Sequence, residues 1–170
     1  SKETADLEAG GDVYKAIRPY VKTFNSSAYI DELANGDSCI TIGWSGDILQ
    51  AKTRAEEANN GVEIAYVIPK EGAPMWFDMM AIPSDATNVK EAHALINYIL
   101  EPQVIAKVSD YVGYANPNIK AGEFMDKAVR DDESVYPPQA VLERLYVQEA
   151  HPRSVQRLIT RSWTKIKSGT

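Results

Sequence analysis

Two pairs of an aromatic and an acidic side chain are the residues of this sequence whose types and spacing best fit a binding chemistry. Trp44 is followed by Asp47, and Trp76 is followed by Asp78. Both pairs are placed where short buried strands are predicted to lead into the next segment, which is where α/β folds bind ligands. Aromatic faces attract ammonium groups and pack on methylenes, while carboxylates accept hydrogen bonds from N–H donors. The pairs therefore predict an aromatic-lined cleft for an organic cation.

The same four residues also fit two other interpretations. Both tryptophans could pack at a rim while both aspartates cap helices, and Asp47 would then be a first-turn acid favoured by the helix dipole. Two carboxylates held apart, Asp47 and Asp78, also fit the acid/base pair of a glycosidase. Spacing alone leaves all three interpretations open.

The composition excludes several classes of protein and of site. The chain has 170 residues, of which 44% are hydrophobic and 25% charged, as in ordinary globular proteins. Acidic residues exceed basic ones by 24 to 18, and the net charge of -6 argues against a nucleic-acid partner because it repels phosphate. His93 and His151 lack the spacing of metal ligands, and the sequence has no nucleophile-elbow or nucleotide-binding motif. Neither a metal site nor a cofactor is predicted.

The elements that would position the two pairs alternate between helices and short apolar segments. Strands are predicted over residues 39–43, 62–68 and 76–82, and Cys39 is expected to be a buried, inert thiol in the first of them. The segment 3–21 is predicted to form two short helices interrupted at Gly10-Gly11 or one helix that starts late. Further helices are predicted from a cap at Ser26 or Ser27 to Gly36, and over 45–58, 88–100, 102–112, 123–130, 138–145 and 154–167. This order predicts an α/β fold with a parallel sheet.

Six stretches of the sequence resemble one known family in the same order along nearly the whole chain. They are SAYIDELANGD (27–37), IGWSGD (42–47), VIPKEG (67–72), WFD (76–78), YAN (114–116) and TRSWTKIKSG (160–169). With these motifs the sequence resembles the polyamine-binding proteins of bacterial ABC uptake systems, which bind putrescine or spermidine in the periplasm.

The resemblance implies a fold and a division of the chain. The fold is that of a type II periplasmic binding protein, in which two lobes of sheet are flanked by helices, and the chain corresponds to an incomplete C-terminal portion. Residues 1–60 would belong to lobe 2, residues 61–117 to lobe 1, and residues 118–170 would return to lobe 2.

The resemblance also implies a binding site. Asp47 and Asp78 would hold ammonium groups, and the aromatic residues would sandwich the alkyl chain. Gln148 and the large face of Trp76 favour spermidine over putrescine, because the longer ligand carries a third ammonium that needs a polar partner. The implied ligand contacts are Trp44, Asp47, Trp76, Asp78, Tyr114 and Gln148.

The function implied is capture of a polyamine without catalysis. The expected partners are the ligand and the membrane permease of an ABC transporter, and the expected location is the periplasm, although no signal peptide is visible. A hydrolase using Asp47 and Asp78 and a polyamine sensor are the alternatives. Association of the chain with itself, or with an N-terminal half, is expected as well, because an incomplete sheet exposes its edges.

Overall fold

The structure, a computed structural model, describes residues 4–169. These residues form two compact units, one of the segments up to Ser26 and from Gln148 onward, the other of Ser27–Val147. The helices are α1 (Thr4–Ile17), α2 (Tyr29–Ala34), α3 (Ser45–Ala58), α4 (Val89–Ile99), α5 (Pro102–Val112), α6 (Lys127–Arg130), α7 (Gln139–Leu142) and α8 (Arg153–Ser168). Short 3₁₀ turns cover Arg18–Tyr20 and Ile119–Glu123, and the strands are β1 (Pro74–Met75) and β2 (Tyr146–Val147).

In the first unit, α1 packs against α8 and continues through the glycine pair. The predicted interruption at Gly10-Gly11 is therefore wrong. Gly11 is buried, and a Cβ atom there would lie 2.8 Å from Ser162 Oγ of α8. The missing side chain lets the two helices approach closely, and this packing outweighs the low helix propensity of glycine.

In the second unit, α2 packs against α3 around a core of Tyr29, Leu33, Ala34, Ile48 and Ala51. The helix predicted over residues 45–58 has the same bounds in the structure, and its C-cap residue Asn59 has a left-handed φ of 46°. The predicted serine cap of α2 is wrong, because the helix begins at Tyr29 and Ala28 occupies its N-cap position.

A second cluster in this unit lies where α5 packs against the 3₁₀ turn Ile119–Glu123. Its buried members are Ala106, Ala121 and Met125. The predicted helices on either side of Glu101 are both confirmed, because α4 ends at Ile99 and α5 starts at Pro102. Proline is well placed at the first position of a helix, where its missing N–H would have no partner.

The three predicted strands are wrong. Residues 39–43, 62–68 and 76–82 are irregular, and the strands within residues 4–169 are β1 and β2, which form one parallel pair. Apolar, β-branched composition favours a strand only when a neighbouring strand accepts its hydrogen bonds. Ile40 is 92% exposed and Ile42 is 87% exposed. Cys39 is exposed too, contrary to the expected buried thiol.

The fold class is nevertheless the predicted one of mixed helix and sheet in a partial domain, and the one described strand pair is parallel as expected. The lobe boundaries at residues 60 and 117 stay predictions. Among residues 4–169, no helix combines the length and the apolar character needed to cross a bilayer.

The close contact between α1 and α8 predicts opposite outcomes for two neighbouring glycines. Gly10→Ala should raise the free energy of unfolding by about 0.5–1 kcal/mol, because alanine favours the helix and a Cβ there meets no atom within 4 Å. Gly11→Ala should raise the free energy of unfolding by less than Gly10→Ala does, or lower it, because the new Cβ would crowd Ser162 Oγ. Urea unfolding of both variants measures the difference, which should shrink when Ser162→Ala is added. An equal rise in the free energy of unfolding in both variants would contradict the close packing of Gly11 against α8.

Candidate functional site

Three of the predicted aromatic residues form one cluster in the second unit. The ring centroids of Trp44 and Trp76 are 4.3 Å apart with an interplanar angle of 61°. The rings of Trp76 and Tyr114 are 5.8 Å apart at 79°. Trp44 is 48% exposed and Trp76 is 39% exposed, so both residues are accessible from solvent. Edge-to-face contacts hold the rings in place while leaving aromatic surface for a ligand.

Helix α3 positions the acidic residue of the site. Trp44 is the N-cap residue of α3 with an extended backbone, and Asp47 lies in the first turn. The N-terminus of a helix favours a negative charge, because its N–H groups give it partial positive charge. The short distance along the chain between cap and first turn therefore places an aromatic ring and a carboxylate at the same end of α3.

Two tyrosine hydroxyls hold the carboxylate of Asp47. The Tyr29 hydroxyl donates a hydrogen bond to Oδ2, and the Tyr114 hydroxyl donates to Oδ1 over 3.2 Å. The Tyr29 oxygen in turn accepts a 3.3 Å hydrogen bond from the backbone N–H of Trp44. Because Tyr114 also contacts Trp76, it joins the carboxylate to the aromatic cluster.

The two tyrosines have raised pKa values because burial penalises their charged form. For Tyr29 the pKa rises from 10.0 to about 12, mainly through desolvation and also through the hydrogen bond to Asp47. The pKa of Tyr114 is raised in the same direction by desolvation and by the nearby charge of Asp47. Both phenols therefore stay protonated at neutral pH and act as donors.

Two glycines make room for these rings. A Cβ at Gly43 would lie 2.4 Å from Cε2 of Tyr29, and a Cβ at Gly46 would lie 2.3 Å from Cε2 of Tyr114. Any larger residue would displace the ring that donates to Asp47. The glycines of the segment 42–47 are therefore part of the geometry of the site.

The structure brings together four of the six predicted ligand contacts: Trp44, Asp47, Trp76 and Tyr114. Asp78 is exposed two residues beyond Trp76. Gln148 is exposed and belongs to the other unit. The ligand roles of Asp78 and Gln148 stay predictions.

The sequence analysis did not assign Tyr29 to the site. Tyr29 is buried, at 6% exposure, within the core between α2 and α3. The available signal was chemical, since the hydroxyl of a buried tyrosine needs a hydrogen-bond partner. Across residues 4–169, no three His, Cys, Asp or Glu side chains form a group that could hold a metal ion.

Comparison with known proteins gives this chain a clear set of relatives. The model of the family described as bacterial extracellular solute-binding protein matches residues 1–136. The putrescine-binding periplasmic protein SpuD of Pseudomonas aeruginosa is 49% identical over 164 residues, covering 96% of this chain and 45% of the relative. The putrescine-binding periplasmic protein PotF of Escherichia coli is 46% identical over 158 residues, covering 93% of this chain and 43% of the relative.

A solved structure shows the same fold. The spermidine/putrescine ABC transporter substrate-binding protein PotD of Streptococcus pneumoniae superposes with a TM-score of 0.80 at 27% identity. The match covers 99% of this chain and 50% of that protein. This chain therefore spans about half the length of the relatives it matches.

The raised pKa of Tyr29 predicts a loss of stability in alkali. The fold holds the phenol neutral, so the stabilisation is complete below pH 10.0 and is lost as the pH rises towards about 12. The free energy of unfolding should fall over this range by roughly 2–3 kcal/mol from this group. Tyr29→Phe should make the decline shallower in urea unfolding at stepped pH. Tyr111→Phe, at a ring that is 90% exposed, is the control and should leave the decline unchanged; a matching change in both variants would contradict the assignment.

Proposed function

We propose a polyamine-capturing function for this chain, which belongs to the family of bacterial extracellular solute-binding proteins. In this proposal the chain is the C-terminal part of a protein that binds a polyamine outside the cytoplasm and delivers it to an ABC transporter. The observation that carries the proposal is the contact of the Trp44, Trp76 and Tyr114 rings beside the carboxylate of Asp47.

The arrangement fits the two chemical features of a polyamine. An ammonium group requires a negative charge and hydrogen-bond acceptors, and a methylene chain requires apolar surface. An ionised carboxylate has about four acceptor sites, and the two tyrosine hydroxyls occupy one on each oxygen of Asp47. Acceptor capacity therefore remains for an ammonium group, while the exposed indole faces attract its charge and pack on its methylenes.

The relatives support this ligand class and its destination. SpuD and PotF are named as putrescine-binding periplasmic proteins, and PotD is named as the substrate-binding protein of a spermidine/putrescine ABC transporter. We therefore propose a periplasmic location and a membrane permease as the partner. Association of the chain with a second copy or with an N-terminal half stays a prediction.

The proposal assigns no catalysis to the site. Each carboxylate oxygen of Asp47 accepts a hydrogen bond from a tyrosine hydroxyl, and Asp78 is exposed. No observation favours the hydrolase alternative over binding. A sensing role would use the same site.

The preference for spermidine over putrescine stays a prediction. It depends on Trp76 and Gln148. The names of the two relatives at 49% and 46% identity favour putrescine instead. In the structure, the indole ring of Trp76 contacts both Trp44 and Tyr114, so part of its surface is used within the cluster.

The carboxylate of Asp47 predicts charge-dependent binding. Asp47→Asn should weaken putrescine binding by about 10–100-fold, because a hydrogen bond to a charged group contributes roughly 1.5–3 kcal/mol. Since the chain spans about half of its relatives, calorimetric titration should use the longest natural polypeptide that contains it. Asp85→Asn, at an exposed aspartate, is the matched control and should leave the affinity unchanged. Equal losses in both variants, or equal binding of 1,4-butanediol, would contradict the proposed site.

The ring at position 76 predicts the ligand preference. Trp76→Phe should lower the affinity for spermidine more than that for putrescine, because the smaller ring covers fewer methylenes of the longer ligand. Competition titration of the two polyamines measures the ratio of their dissociation constants. Trp163→Phe is the control, because Trp163 packs against Tyr14 and Phe24 in the other unit. An unchanged ratio in Trp76→Phe would remove the basis of the spermidine preference.

A further inference from the structure

We propose that Tyr29 is a positioning residue that fixes the carboxylate of Asp47 for the ammonium group of the ligand, without touching the ligand itself. This inference rests on the polyamine-binding function proposed above and adds a residue to its site. Three independent features of the structure carry it: the direction of the hydrogen bonds, the burial of the ring and the space that Gly43 leaves.

The hydrogen bonds around Tyr29 can run in one direction only. The backbone N–H of Trp44 is a donor and approaches the Tyr29 oxygen at 3.3 Å. The carboxylate of Asp47 is an acceptor and receives the Tyr29 hydroxyl at Oδ2. Since a hydroxyl carries one proton, accepting from Trp44 leaves that proton for Asp47. Hydrogen bonds in such a chain polarise one another and strengthen.

The same chain of bonds connects the aromatic and acidic parts of the site. Tyr29 reaches the backbone of Trp44, the N-cap of α3, and the side chain of Asp47 in its first turn. The spacing between the tryptophan and the carboxylate is therefore held by a residue from another helix. A carboxylate held in this way loses less side-chain freedom when a ligand binds, and that lowers the entropic cost of binding.

Burial separates the role of Tyr29 from that of Tyr114. Tyr29 is 6% exposed and packs in the core with Leu33 and Ile48. Tyr114 also donates to Asp47, but its ring contacts Trp76 and forms part of the aromatic cluster. Tyr29 therefore acts on the ligand through Asp47, whereas Tyr114 also belongs to the predicted ligand wall.

Gly43 fixes the position of the Tyr29 ring. A Cβ at residue 43 would lie 2.4 Å from Cε2 of Tyr29 and 3.1 Å from Cδ1 of Ile48. Gly43→Ala should therefore displace the ring, with its hydroxyl intact, from the position in which it donates to the carboxylate. This variant displaces the donor, whereas Tyr29→Phe deletes it, so the two substitutions test the same hydrogen bond by different means.

Tyr66 provides a matched control. It is partly buried against the same core, and its hydroxyl bonds to Ser45 instead of Asp47. Tyr66→Phe removes one hydroxyl from the same part of the second unit and leaves the carboxylate untouched. If deletion of a hydroxyl lowers the affinity for putrescine for a reason other than the positioning of Asp47, both phenylalanine variants should show the loss.

The experiment is a calorimetric titration of the longest natural polypeptide containing this chain with putrescine, alongside thermal melting of each variant. Tyr29→Phe should weaken putrescine binding by about 3–10-fold, the range of one net hydrogen bond. Tyr66→Phe should leave the affinity unchanged. In an Asp47→Ala background, which removes the acceptor of the Tyr29 hydroxyl, the loss caused by Tyr29→Phe should disappear, because its effect passes through the carboxylate. Gly43→Ala should behave like Tyr29→Phe, and it replaces that variant if Tyr29→Phe does not melt cooperatively.

Three outcomes would overturn the inference, and they differ from failure of the proposed function. Equal losses in Tyr29→Phe and Tyr66→Phe would show a general effect of hydroxyl deletion. Additive losses in Tyr29→Phe and Asp47→Ala would show that Tyr29 does not act through the carboxylate. Unchanged putrescine binding in Tyr29→Phe would also remove the positioning role, while the proposed function would stand. Absence of saturable binding of putrescine and spermidine by the unsubstituted protein would overturn both proposals.

Discussion

The half-buried carboxylate of Asp47 is the constraint on which the rest of the site depends. A carboxylate taken partly out of water needs hydrogen-bond donors, and the second unit supplies the hydroxyls of Tyr29 and Tyr114. Each tyrosine ring then needs space beside α3, which is available because residues 43 and 46 are glycines. The segment Gly-Trp-Ser-Gly-Asp at 43–47 therefore contains an aromatic ring, the carboxylate, and two glycines that leave space for the tyrosines that donate to the carboxylate.

The aromatic cluster adds apolar surface beside that carboxylate. Large, partly exposed rings are a general feature of ligand and partner surfaces. Here the ring of Trp76 contacts those of Trp44 and Tyr114 edge to face. Because Tyr114 contacts both Trp76 and Asp47, the aromatic and the charged parts of the candidate site are joined through a single ring. The proposed ligand, a cation with an alkyl chain, would meet both kinds of surface at once.

Predictions from the sequence succeeded where local contacts decide the structure and failed where distant ones do. The bounds of α3 and the break between α4 and α5 follow from side-chain periodicity, Asn59 and Pro102, all within a few residues. The strands at 39–43, 62–68 and 76–82 were wrong, because apolar β-branched composition cannot supply the neighbouring strand that a ladder requires. The predicted effect of the glycine pair in α1 was wrong for a related reason, since Gly11 allows the close approach of Ser162, which lies far along the chain.

The amino-acid sequence alone establishes the family and the residues at which an aromatic ring and a carboxylate share the start of α3. These properties follow from residue types and short spacings, which the chain carries in any conformation. The tertiary structure decided that Trp76 and Tyr114 join Trp44, and that Tyr29 donates to Asp47. It decided them because each contact links segments that are distant in the chain, and only the packing of α2 on α3 brings the buried Tyr29 hydroxyl to its acceptor.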